Sequence, residues 1–160
     1  MKLSTKGRYG LRAVIDLAMH CEDKSETASI QSIAQRQGIS ENYLEQLMRL
    51  LKKAGIIDSV RGAGGGYKLS REASKISVGD VLRALEGDLK PVDCQAISES
   101  GGCEGADGCV TKYVWKKMND AIQSAVDSIM LDELINEGCR EKETCESGEL
   151  VCEQKAGIKA

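Results

Sequence analysis

Apolar and polar positions along the chain fall into periods that change several times, and each change marks an element. Between Thr5 and Cys21, the spacing of Leu11, Val14, Ile15 and Ala18 predicts a helix with one apolar face. Ile30, Ile33 and Ala34 predict a short second helix, and Gln37-Gly38-Ile39 a tight turn after it. Ser40 then stands as the N-cap of a third helix, whose inner side is expected to carry Leu44, Leu47, Leu50 and Leu51. The period next shortens: residues 55–60 read as a strand and Tyr67-Lys68-Leu69-Ser70 as its partner. Ser77 and Asp80 have capping-box spacing before Val81, Leu82 and Leu85, in a short helix expected to end near Glu86-Gly87. Beyond Cys109, Trp115, Met118, Ile122, Ala125 and Ile129 are spaced 3, 4, 3, 4, a seam of heptad type that Val114, Ala121, Val126 and Met130 broaden.

Taken together, the elements predict a mainly α fold. A small Ala34 four residues before Gly38 lets two helices approach, and the glycine permits a left-handed turn, which is the pattern of a helix-turn-helix. An ordinary helical hairpin shares that pattern, but the strand pair that follows at once makes a winged helix-turn-helix with a two-stranded wing. Its tip, Arg61-Gly62-Ala63-Gly64-Gly65-Gly66, places an arginine beside a flexible run suited to a narrow minor groove. The run lacks the Gly-Lys-Ser/Thr ending of a phosphate-binding loop and opens no long helix. The heptad-type face is broader than a monomer's surface helix needs, so the C-terminal helix is expected to pair two copies into a homodimer, with packing onto the chain's own core as the alternative. This gives a reader domain over residues 1–88, a cysteine loop over 89–109, a dimerisation helix over 110–135 and a mobile tail over 136–160.

Charge sharpens the division. Residues 1–75 hold 13 Lys/Arg against 8 Asp/Glu, a net of +5, while residues 76–160 hold 9 against 17, a net of −8. A basic half suits nucleic acid and an acidic half suits a sensor or partner function. Lys6, Arg8 and Arg12 crowd the first turns of the first helix, where the dipole disfavours cations. An outside anion such as a phosphate would relieve them; plain solvation is the other reading. The near absence of aromatics, with no Phe, one Trp and four Tyr, favours helix-on-helix packing. No run of apolar residues long enough for a membrane span occurs, and Met1 to Lys6 is followed by no apolar signal region, so a cytoplasmic protein is expected.

Seven cysteines, six of them beyond residue 90, point to metal or redox chemistry over a disulfide scaffold. Cys94, Cys103 and Cys109 are spaced Cys-x8-Cys-x5-Cys in a loop rich in glycine and acidic residues. Thiolates are what iron–sulfur clusters need, and a zinc site or three uncommitted thiols are the competing readings. A cysteine-based oxidoreductase is disfavoured, since the chain has no Cys-x-x-Cys and no His beside the loop thiols.

Residues 2–9 (Lys2-Leu3-Ser4-Thr5-Lys6-Gly7-Arg8-Tyr9), Gln37-Gly38-Ile39-Ser40, Tyr43-Leu44-Glu45-Gln46-Leu47 and the run from Val60 to Tyr67 resemble the family of winged-helix regulators that includes IscR, NsrR, RirA and CymR. The resemblance covers about residues 1–135. It implies a homodimeric transcription factor acting on a pseudo-palindromic operator in double-stranded DNA, and in several members an iron–sulfur cluster held by three cysteines per subunit. By position, Asn42, Tyr43, Glu45 and Gln46 would lie on the exposed side of the recognition helix and Arg61 in the wing. Ser40, Arg49, Lys52 and Lys53 would contact phosphates. Cys94, Cys103 and Cys109 would be the cluster ligands, with Cys109 at the head of the long helix, whose dipole lowers a thiol pKa. Where IscR-like sequences place a fourth ligand His, this chain has Lys112, and where relatives use the first helix it has Arg8 and Arg12. His20 matches neither position and reads as structural. Glu104, Asp107, a tail cysteine (Cys139, Cys145 or Cys152) or an exogenous molecule would complete the set, which favours a 4Fe–4S cluster over 2Fe–2S. The implied function is a regulator sensing iron–sulfur status, oxygen or nitric oxide. A thiol-redox or zinc-binding regulator, or a CymR-like repressor of cysteine metabolism, is the alternative within the same class.

Overall fold

A computed structural model describes residues 3–21, 26–62, 64–94, 103 and 108–137. In chain order the elements are α1 (Thr5–His20), α2 (Ile30–Gln37), α3 (Glu41–Lys53), β1 (Ile57–Val60), β2 (Gly66–Leu69), a 3-10 turn (Ala73–Lys75), α4 (Val78–Glu86) and α5 (Thr111–Ser128). A further helical stretch covers residues 131–137. The fold is mainly helical, with β1 and β2 in one antiparallel pair whose register sets Ile57 opposite Leu69 and Val60 opposite Gly66.

The local chemistry explains most boundaries. Ser4 and Ser29 cap α1 and α2 with their hydroxyls, accepting from the Lys6 and Ser32 amides. Gly38 closes α2 at φ 64°, a left-handed value that costs glycine nothing, and its N–H returns to the Ala34 carbonyl. Ser77 and Asp80 form the full capping box of α4. Ser40 departs from expectation: it occupies the N-cap position of α3 with extended backbone, but its side chain makes no cap bond.

One core joins α1, α2, α3, β1 and α4 through Val14, Leu17, Ile33, Leu44, Leu47, Leu51, Ile57 and Val81, all at most 1% exposed. Two faces are rotated from the predicted ones. On α3, Met48 is fully buried while Leu50 is exposed, so the inner stripe is Leu44, Leu47, Met48 and Leu51. On α1, the buried side carries Gly7, Gly10, Ala13, Val14, Leu17 and Ala18, whereas Leu11 and Ile15 lie at its edge. The reason is close helix packing. A β-carbon on Gly10 would meet Leu85 Cδ1 at 2.3 Å, so only glycine admits α4 at this separation.

The predicted seam through Ile129 and Met130 is broken. Helix α5 stops at Ser128, Ile129 is extended, and Met130 bridges to Ser77. The Val78 N–H donates to the Ile129 carbonyl at 2.9 Å and the Leu131 N–H to Ile76 at 3.0 Å. Leu131 is fully buried in the main core. Two backbone bonds and one buried leucine, worth about 2 kcal/mol in apolar burial alone, outweigh continuing the helix by one more turn. Arg83 on α4 adds an ion pair to Asp127 and a 2.7 Å bond to Gln123.

Candidate nucleic-acid interface

The residues expected to read DNA emerge along one side of α3. Asn42, Glu45, Gln46, Arg49, Lys52 and Lys53 are exposed, as is Ser40 just before them. Glu45 and Arg49 pair at 3.6 Å across one turn, a surface contact worth only a few tenths of a kcal/mol and easily exchanged for a partner. Tyr43 differs from expectation. It is half-buried, packed against the main core, with its ring edge-on to Tyr9 at 6.3 Å between centroids and 86° between planes. Lys52 turns toward the wing, where its ammonium donates to the Ser59 hydroxyl on β1. It thereby ties α3 to the hairpin.

The wing is held from both sides. At its tip Gly62 takes φ 118°, Gly65 N–H donates to the Gly62 carbonyl at 3.0 Å, and Arg61 is exposed beside them. Along its β2 edge Ala28, just before α2, exchanges two backbone bonds with Tyr67 (2.9 and 2.8 Å), and Thr27 Oγ1 donates to the Gly64 carbonyl at 2.8 Å. A β-carbon on Gly66 would stand 2.5 Å from the Ala28 carbonyl oxygen, so glycine is required for this clamp.

Two carboxylates that sequence reading passed over organise the framework. Glu86, at the end of α4, receives the Ser4 N–H (3.0 Å), the Ser4 hydroxyl (2.6 Å) and the Gly7 N–H (2.9 Å) on one oxygen. The start of α1 thus meets an anion of the chain's own, and the Lys6 charge lies near enough to act on it. Partial burial pushes the Glu86 carboxyl up, but those bonds and the Lys6 charge outweigh it and hold it below its ordinary value. Asp16 is buried within α1. It takes Arg36 Nε at 3.0 Å and a second guanidinium nitrogen at 2.7 Å, and Gln37 Nε2 at 2.9 Å. Burial raises its pKa, and the bonds and charge of Arg36 with the bond from Gln37 more than reverse that. Asp16 interrupts an otherwise apolar face, the only sign of it in the sequence. His20 lies beside it, Nδ1 2.8 Å from the Asp16 carbonyl, consistent with a structural part.

Of the cysteine set, Cys94 follows α4, Cys103 is exposed, and Cys109 sits just before α5. Cys109 Sγ lies 3.1 Å from Thr111 Oγ1. That bond, with the Lys112 and Thr111 amides at the helix start, lowers its pKa, the direction expected at a helix N-terminus. Cys21 is the opposite case, its thiol pushed up by burial and by the Glu26 charge. Among the described residues no three His, Cys, Asp or Glu side chains converge to hold a metal ion. Glu104, Asp107, Cys139, Cys145 and Cys152 lie outside the described residues. Thiols are the donors an iron–sulfur cluster takes, but Cys94, Cys103 and Cys109 are not gathered around one point in this structure.

A family model described as Rrf2, an iron-dependent transcriptional regulator, matches residues 3–137. The chain belongs to the Rrf2 family. It is 41% identical over 136 residues to the HTH-type transcriptional regulator IscR of Escherichia coli, covering 85% of this chain and 81% of that protein. The structure of CymR, the global cysteine regulator of B. subtilis, superposes with a TM-score of 0.69 at 40% identity, covering 86% of this chain and 98% of the other. That of T. potens IscR gives 0.66 at 43% identity, covering 94% and 93%. This Rrf2 protein is thus a winged-helix, DNA-binding transcriptional regulator and not an enzyme. No helix among its described residues is long and apolar enough to cross a membrane.

Proposed function

We propose that this chain acts as a homodimer that binds a pseudo-palindromic operator through α3 and the wing, and that an iron–sulfur cluster on Cys94, Cys103 and Cys109 sets its affinity. The observation that carries the reading is the position of α5. The helix begins directly after the activated thiol of Cys109, presents Val114, Met118, Ala121 and Ala125 to the outside, and ends stitched to the reader domain. An exposed apolar stripe of that length on a soluble chain calls for a partner, and a second copy presents the same stripe. Asn42, Glu45 and Gln46 would read base edges, Arg61 a narrow minor groove, and Ser40, Arg49 and Lys53 phosphates. Tyr43 would support α3 from behind, and Lys52 would hold the wing beside it.

A bound cluster would supply an anion sensitive to oxygen, nitric oxide and iron supply. The chain's own residues would provide the coupling: Arg83 with Asp127 and Gln123, and the Ile129–Leu131 link to Ile76–Val78, join α5 to α4. Any reorientation of two α5 helices would therefore change the separation of two α3 helices, which an operator fixes at about 34 Å. Lys112, its ammonium 5.4 Å from the centre of the Tyr113 ring, stands where IscR-like sequences place a ligand histidine, and the lack of that histidine favours 4Fe–4S over 2Fe–2S. The test is anaerobic purification with visible absorption, iron and sulfide assays, solution mass, and operator binding by cluster-loaded and cluster-free protein at one salt concentration. A colourless protein holding stoichiometric zinc would overturn the cluster. Equal affinities of the two forms would overturn the switch, and a monomer would overturn the dimer.

A further inference from the structure

Asp16 is 4% exposed and ionised, an expensive arrangement for a core helix. Its Arg36 partner is 32% exposed, so solvent weakens the attraction that offsets the burial of Asp16, and stability alone does not account for it. Its location does. Gln37 is the last residue of α2, next to the left-handed Gly38 that aims α3. The side chain of Gln37 is used in both directions: Nε2 donates to Asp16 at 2.9 Å, and Oε1 accepts from Arg12 Nε at 3.1 Å. Its backbone carbonyl, an orphan at the helix end, accepts from a second Arg12 nitrogen at 3.1 Å. Arg12 in turn lies 5.6 Å over the Tyr9 ring, and Tyr9 meets Tyr43 in the first turn of α3.

We propose that Asp16 and Gln37 are positioning residues for sequence reading: they lock the end of α2 to α1, and so fix the pitch at which α3 meets the bases. Base-edge hydrogen bonds tolerate only a few tenths of an ångström, whereas phosphate attraction tolerates far more. Loosening this lock therefore costs discrimination before it costs binding. The proposal rests on α3 being the reading element.

The test uses the full-length protein, a duplex selected by the wild type from random-sequence DNA, and a scrambled duplex of equal length at the same salt. Gln37→Met removes both amide contacts at a half-buried site while leaving the Asp16–Arg36 pair. Asp16→Leu with Arg36→Leu removes the pair together, and either variant can decide should the other fail to fold. The expected result is a fall of about tenfold in the ratio of selected to scrambled affinity, the worth of one base contact, with scrambled binding within about twofold of wild type. A folded variant that keeps the wild-type ratio overturns the proposal, whether its two affinities are unchanged or fall together. Asn42→Ala with Gln46→Ala separates the two levels. If it lowers the ratio while Gln37→Met does not, positioning fails and α3 reading stands. If it too keeps the ratio, α3 is not the reader and the positioning role falls with it.

Discussion

Replacing Glu86 by Gln changes one oxygen to an amide and keeps the shape of the side chain, so it isolates the charge at the head of α1. Three donors converge on Glu86 Oε1 at 2.6 to 3.0 Å, and one of them belongs to the buried Gly7. Hydrogen bonds to a charged acceptor exceed neutral ones by about 1 kcal/mol each, and a carboxylate at a helix N-terminus adds some tenths more. Glu86 is half-buried, which discounts the sum. The expected loss is about 2 kcal/mol near neutral pH, lowering a urea midpoint by about 1 M at equal protein concentration. The carboxyl titrates below its ordinary 4.5 in the folded chain. Its contribution is therefore complete above that value and disappears as pH falls through the folded pKa. Urea unfolding of wild type and Glu86→Gln, followed by circular dichroism at about pH 7 and about pH 3, measures both effects. Midpoints that coincide at neutral pH, or a gap that stays the same at acid pH, would refute the charged cap.

Other consequences are sharp enough to measure. Gly66→Ala drives a methyl against the Ala28 carbonyl, so hydrogen exchange at the Ala28 and Tyr67 amides should quicken and operator affinity fall while α1 to α4 stay protected. In cluster-free protein, alkylation of Cys109 should rise with a midpoint below 9.0 and that of Cys21 above it, followed by mass spectrometry across pH; the reverse order would remove the helix-start activation of Cys109. Leu131→Ala should cost about 3 kcal/mol, visible as a lower melting temperature, because a fully buried leucine anchors the end of α5.

Much of the reader was legible because its signals are local. Gly38 as a left-handed turn, Ser77 and Asp80 as a capping box, and the antiparallel hairpin around a glycine tip each depend on residues within one turn of the chain. Both rotated faces came from non-local packing. Periodicity assigned α1 its inner side by large apolar residues, yet its closest approach is made by Gly7 and Gly10 against α4, over seventy residues away. Small residues carry little apolar weight, so a pattern of hydrophobicity misplaces a face whose value lies in close approach. Lys6 at the start of α1 was visible, but the carboxylate of Glu86 near it was not, since nothing in either segment specifies that they meet.

The sequence by itself determined the helix-turn-helix, the wing and the thiol placed at the head of α5. These follow from period, capping and glycine chemistry, which act over a few residues. Tertiary structure decided how the parts are joined: Lys52 to the wing, Asp16 to the end of α2, Glu86 to the start of α1, and α5 broken at Ile129 so that Leu131 could enter the core. Each of those is a polar or apolar group satisfied by a partner distant in the chain. Only the packed molecule brings such partners within the roughly 3 Å at which a hydrogen bond or the 4 Å at which an apolar contact has value.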